Sequence, residues 1–270
     1  MTLERFPSLR STDGALPGFP IERLAPIVSL SGLVFVWWAV GSTVAPGLPT
    51  PPVVAGAFAA AIVDPSFHSS ALTSAVRVYV PFLLAAAIAV PIGLLAGWHD
   101  PFADLTLPAL ELVRPIPPIA WIPAVILLIP GTEPGIMFIT FLGAFYPILL
   151  NAVEGGRSVD REYAKAARSL GADAVGTLRH VGLPGALPSI TTGLSVGMGL
   201  AWLNLVAAEM LAGGSGLGYL TWSAYTGGSY PYIVVGMLSI GALGVASTAA
   251  VGRLDRYLLP WLDSEAGRSA

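Results

Sequence analysis

Cysteine is missing from this 270-residue chain, and charge is scarce. Without cysteine there are no disulfides, thiolate metal ligands or cysteine nucleophiles. Only 11% of the residues are charged, whereas an ordinary soluble domain carries about 25%. A water-soluble protein of this length needs a charged surface that these residues do not supply. The 13 basic and 16 acidic residues give a net charge of −3, with no basic excess for nucleic acid. Lysine occurs once, as Lys165, and does not follow a glycine. A Gly-Lys-Ser/Thr phosphate loop is therefore absent, and the chain is not expected to hydrolyse ATP or to hold a cofactor itself. His68, His99 and His180 are too scattered to outline a metal site.

Hydrophobic residues fill 54% of the chain, and the mean hydropathy is +0.74. Thirty-one glycines and 24 prolines break the apolar stretches, as in membrane helices. A span needs about 20 apolar residues. Six windows qualify: Pro26–Ala45, Val78–Trp98, Pro115–Thr132, Pro134–Val153, Pro188–Glu209 and Pro231–Gly252. Period-two alternation is lacking, which argues against a β-barrel. The expectation is an all-α membrane protein with six transmembrane helices. Residues 1–24 form a polar amino-terminal tail, 25–262 the membrane domain and 263–270 a carboxy-terminal tail.

Basic residues orient the spans. With both termini cytoplasmic, Arg114, Arg157, Arg161, Lys165, Arg168, Arg179 and Arg253 lie inside, and Arg77 alone lies outside. The first span reads as a retained anchor rather than a cleaved leader. Residues 46–74 become an outer loop whose Pro52–Val63 piece can form a short helix lying on the membrane surface.

The sizeable loop is 154–187. Ser158 or Asp160 can cap a first helix, Gly171 suits a left-handed stop, and Asp173 can cap a second helix. Pro184 and Pro188 end that second helix and begin the fifth span. Two readings stay open on periodicity alone: helices resting on lipid headgroups, or helices docking a partner.

The run KAARSLGADAVGTLRHVGLP resembles the coupling motif of ABC importer permeases. That motif reads Glu-Ala-Ala, three residues, Gly, nine residues, Ile, one residue, Leu-Pro. Ala166, Ala167, Gly171, Val181, Leu183 and Pro184 fall at its places. Lys165 stands where the motif has Glu, although Glu162 lies one turn earlier, and Val181 stands for Ile. RPIPPIAWIP, GAFYPILLNAVEG, LPGALPSITTGL and VAAEMLAGGSGLGYL extend the resemblance to the nitrate, sulfonate and taurine importer permeases over roughly 70–262. LLIPGTEP departs from the aromatic-glycine pattern found there.

The resemblance implies a type I importer permease fold in the bacterial inner membrane, acting as a homodimer. Two cytoplasmic ATPase subunits would carry ATP and Mg and dock on the helix pair around Glu162, Lys165, Ala166, Ala167, Gly171, Val181, Leu183 and Pro184. An extracytoplasmic binding protein would deliver the solute, with an aliphatic sulfonate or taurine expected first and nitrate or a related small anion second. The competing class is a gradient-driven secondary transporter using Glu209, the acid that falls within a span. A membrane-embedded enzyme is a third class.

Four further features remain. Pro115, Pro117, Pro118 and Pro123 crowd the inner end of the third span, where the helix is expected to be kinked or extended. Gly213–Gly218 reads as a tight re-entrant turn. The Gly93/Gly97 and Gly193/Gly197 pairs suit close helix approach. Arg77 and Glu209 are the charges nearest the outer side, and an outer gate is expected if they pair in one access state. Arg77 would then attract an anion to the mouth.

Overall fold

A computed structural model describes residues 21–45 and 47–258. The remaining residues include most of both expected tails. Contacts divide the chain into residues 1–52 and 53–270. In the first unit, α1 spans Ile21–Thr43, so helix begins within the segment expected to be a tail. The Trp37 indole N–H donates to the Pro49 carbonyl at 3.1 Å.

Helix α2 (Pro51–Val63) begins at the boundary, and the second unit continues with α3 (Pro65–Trp98), α4 (Asp100–Val113) and a 3-10 turn at Pro118–Trp121. After these come α5 (Ile122–Leu128), α6 (Thr132–Ser158), α7 (Arg161–Ser169) and α8 (Ala174–Thr177). A π turn at Leu178–Gly182 precedes α9 (Leu183–Ala212), and α10 (Leu217–Thr226) and α11 (Tyr230–Leu258) follow. No strand occurs among the described residues.

Four described helices are long and apolar enough to cross a membrane, or five if the bent pair formed by α4 and Pro118–Leu128 counts as one. The apolar part of α1, Ile27–Thr43, is shorter than these. The third span expected over Pro115–Thr132 forms only as a 3-10 turn and the short α5, together Pro118–Leu128. That stretch meets α4 at 75°. Pro115, Pro117 and Pro118 lack amide donors, and Pro117, ahead of Pro118, is extended at φ −58°, ψ 138°.

Other boundaries also differ from expectation. Within the expected outer loop 46–74, the short helix expected at Pro52–Val63 is present as α2, but Asp64 starts α3 well before Val78. Its carboxylate accepts the Ser66 amide at 2.8 Å, with Pro65 in the first helical turn. Helix α4 replaces what read as a short connection. Pro184 does not end the second helix of the 154–187 segment either, since Ala174–Ala212 runs through the π turn as one helical stretch. Proline is tolerated there because the residues ahead of it already form the wider turn. The Gly-Leu-Ser-Val-Gly run at 193–197 lies inside α9, without the strand-to-helix turn of a hydrolase nucleophile.

The core is α3, α6 and α9. Arg77 of α3 meets Glu133 near the start of α6, and Gly97 meets Gly156 near its end, so these two helices are parallel. Helix α9 runs the other way. Small residues set the spacing: a Cβ on Gly93 would lie 2.6 Å from the Leu149 carbonyl oxygen, and one on Gly193 would lie 2.6 Å from the Asn151 Cβ. Val78, Ala85, Ile136, Ile148, Met198 and Leu205 fill the buried interior. Between Arg77 and Trp98, α3 rises about 30 Å at 1.5 Å per residue, which matches a bilayer's hydrocarbon thickness.

Candidate functional site

One end of the core holds a buried ionic cluster. Arg77 was expected as a lone external charge, but it lies inside α3 and is only 2% exposed. A bare guanidinium at this depth is costly, so its donors need partners. Its Nε donates to Glu133 Oε2 at 2.8 Å, and Nη2 donates to Glu133 Oε1. Nη1 donates to Glu209 Oε1 and to the Ser215 carbonyl, each at 2.8 Å, and Nη2 also reaches Ser215 Oγ at 3.1 Å. All five N–H donors of the guanidinium are therefore engaged.

Glu209 is fully buried and doubly anchored. The Ser74 hydroxyl donates across both of its oxygens at 2.9 Å, and the Gly218 amide donates to Oε2 at 2.9 Å. Ser74 Oγ in turn accepts the Leu217 amide at 2.8 Å. The glycine turn thus wraps the carboxylate. Gly216 has φ +102°, and a side chain there would collide with the Glu209 carboxylate.

Sequence reasoning placed Arg77 and Glu209 near one side of the membrane, and the fold brings them into contact. It missed Glu133. That residue separates two apolar windows and so read as a boundary; its place in the first turn of α6 was the available signal. Glu133 is 58% exposed, unlike its partners. The cluster carries one positive and two negative groups, and this state leaves Arg77 no donor for an incoming anion. A cavity of about 350 Å³ lies alongside, lined by Gly131, Thr132, Gly135, Ile136, Ala208 and Ala212 among others.

The other end carries the segment that resembles the coupling motif. Asp160 caps α7 by accepting the Glu162 amide at 2.8 Å. Gly171 has φ +94°, with open space around it, and Asp173 accepts the Gly176 amide at 2.7 Å. Glu162, Lys165 and Ala166 are exposed, while Ala167 is half-buried. Val181 and Leu183 pack with Leu178 on a cluster containing Leu94, Trp98 and Ile190, and Pro184 follows half-buried. The Trp98 ring lies against Gly182, and Arg161 donates to the Trp98 carbonyl at 3.1 Å. Outward stand Tyr163, Leu170 and Val175, with Leu170 at 90% exposure. The π turn therefore buries one side of the segment and presents the other.

Between the ends, Pro117 and Pro118 line a cavity of about 390 Å³ with Arg114, Tyr146 and Asn204. Among the described residues, no group of three or more acids, histidines or cysteines could hold a metal ion.

Comparison with known proteins agrees with this architecture. Residues 89–264 match the family model for the binding-protein-dependent transport system inner membrane component. A nitrate import permease of Synechocystis is 30% identical over 246 residues, covering 88% of this chain and 90% of the relative. The bicarbonate transport system permease of Synechococcus elongatus is 34% identical over 197 residues, covering 73% and 71%. A Methanocaldococcus jannaschii chain named as an ABC transporter permease is 38% identical over 197 residues, covering 73% and 74%. With apolar helices of spanning length and a family match over most of its length, this chain belongs to the inner-membrane permeases of binding-protein-dependent ABC importers.

Proposed function

We propose that this chain is the membrane subunit of an ATP-driven importer that moves a small planar anion, of the nitrate or bicarbonate kind, by alternating access. The observation that carries this reading is the likeness to a nitrate import permease across 88% of the chain. The bicarbonate permease adds a second monoanion of similar shape. Both names favour an oxyanion of that kind over an aliphatic sulfonate or taurine. Membership in this family also favours ATP drive over a gradient-driven carrier.

In this reading α1 is the first of six spans and the bent pair is the third. Both termini are cytoplasmic, the Arg77 end faces outward and the Trp98 end faces inward. The cluster of Arg157, Arg161, Lys165, Arg168 and Arg179 near the Trp98 end supports that orientation. Two copies of the chain enclose the path. Two ATPase subunits dock on α7, α8 and the π turn, and a solute-binding protein delivers the anion at the Arg77 end. The exposed Tyr163, Leu170 and Val175 side chains suit a protein groove. The Arg77–Glu209 pair closes an outer gate in one access state and parts in the other, a rigid-body switch between two packings.

Uptake of labelled nitrate, bicarbonate and taurine into vesicles holding the complete transporter tests the substrate. ATP-dependent nitrate or bicarbonate import supports the reading. ATP-dependent taurine import without either anion overturns it. Cysteines at Ser158 and Ser229 should label from opposite faces, and labelling from one face would overturn the six-span topology.

A further inference from the structure

We propose that the Nε–Nη2 edge of Arg77 is an oxyanion subsite, held by Glu133 when the gate is closed and yielded to a planar anion in transit. The inference rests on the anion-permease reading and adds a place where the anion binds.

Two carboxylates share one guanidinium, and they are held very differently. Glu209 is fully buried and tied to Ser74 and Gly218 as well as to Arg77. Glu133 is 58% exposed, and among the described residues its side chain bonds Arg77 alone. Glu133 also takes the better edge. It accepts from Nε and Nη2 together, the two-point fork that suits carboxylates and other planar oxyanions. Glu209 takes a single donor, Nη1. Displacing Glu209 would dismantle the glycine turn. Displacing Glu133 needs little more than a side-chain rotation toward the exposed side.

The surroundings fit this exchange. Helix α6 starts from Gly131, at φ +92°, without a side-chain cap, which leaves the Thr132 and Glu133 amides without an intrahelical acceptor, while Pro134 has no amide. The cavity of about 350 Å³, lined by Thr132 and Ala208, the residues before Glu133 and Glu209, and otherwise mainly by apolar side chains, adjoins the cluster without being lined by Arg77 itself. Electrostatics then limits the affinity. With Glu133 in place the cluster is net negative and draws no anion. With Glu133 rotated away, the incoming anion regains the same two donors, while Glu209 stays beside them and keeps binding weak enough for release. Conduction needs that balance.

Purified full-length permease titrated calorimetrically with sodium formate and sodium nitrate, at constant ionic strength set by chloride, tests the subsite. Formate is the carboxylate head of Glu133 without its chain. Glu133→Ala should bind both anions at least tenfold more tightly than wild type, and the two should compete for one site per chain. Adding Arg77→Lys keeps the charge, loses the fork and should abolish the gain. If that double variant does not fold, selectivity within Glu133→Ala decides: a tenfold preference for formate over chloride supports the fork, and equal binding overturns it. Unchanged formate and nitrate affinity in Glu133→Ala overturns the subsite whatever the transporter imports. Intact formate binding with no nitrate or bicarbonate import overturns only the substrate reading.

Discussion

Two arginines mark the two ends of the core, and they are treated in opposite ways. Arg77 is 2% exposed, with every donor engaged by groups of its own chain. Arg161, at the Trp98 end, is half exposed, lies 3.8 Å from the well-exposed Asp100, and sits 5.9 Å from the centre of the Trp98 ring. An exposed pair of that kind contributes about 0–1 kcal/mol, whereas losing one member of a buried pair costs about 3–5 kcal/mol. The Arg77 end is therefore complete by itself. The Trp98 end leaves Tyr163, Leu170 and Val175 in the open. Under the proposed function, this is the contrast expected between a gate closed by its own chain and a coupling element that docks a partner.

The sharpest way to break this contrast is Arg77→Ala. It strands the buried Glu209 and should cost about 3–5 kcal/mol of stability, read as a lower unfolding temperature in detergent together with slower but measurable uptake. A cycle that pairs it with Glu209→Ala should show a coupling of about 1 kcal/mol or more in transport. Strictly additive losses would remove the pair from the gate.

Gly171→Val comes next. A β-branched residue at φ +94° is strained by about 1–3 kcal/mol. The strain sits in an exposed turn with nothing packed on it, so the permease should still insert at normal abundance while ATP-dependent uptake collapses. Leu170→Asp should do the same with no folding penalty, because Leu170 is already 90% exposed. Normal ATPase co-purification and normal uptake in both variants would show that this segment is not the docking element.

Asp160→Ala should weaken α7 by about 1 kcal/mol through its lost cap. Proteolysis of the 158–170 region in membrane vesicles would detect this as earlier cleavage.

The smallest effect belongs to Asp64. The Ser66 hydroxyl and then the Ser66 amide hold its carboxyl below the ordinary aspartate value. Because the folded value is the lower one, the cap's contribution is present above the unfolded value and fades as pH falls through the folded value. Asp64→Asn should differ slightly from wild type in unfolding temperature at neutral pH, and the difference should shrink in acid.

What could be read in the sequence depended on range. Asp160, Gly171 and Asp173 act on neighbours two to four residues away, so type and position alone announce a cap or a left-handed stop. Arg77 and Glu209 are 132 positions apart. Their shared side of the membrane followed from span counting, but their contact depends on how α3 and α9 cross. Glu133 was hidden because a single acid between two apolar windows looks like a loop. Helix α4 was hidden because Asp100, Asp104 and Glu111 broke the apolar pattern by which spans were sought. The bend in the third span was half legible. The proline cluster predicted broken helix, whereas the 75° turn belongs to the packing around it.

The π turn at Leu178–Gly182 adds one more consequence. It joins the surface helix α8 to α9 without a break, so the exposed helix and Glu209 stand on one shaft. A π turn holds a surplus residue relative to ordinary helix. If that surplus were passed along the shaft, each residue beyond it would rotate by about 100° and shift by about 1.5 Å, one step of the helical screw. Glu209 would then leave the pocket made by Ser74 and Gly218, and a push at one face of the membrane would become a twist at the other.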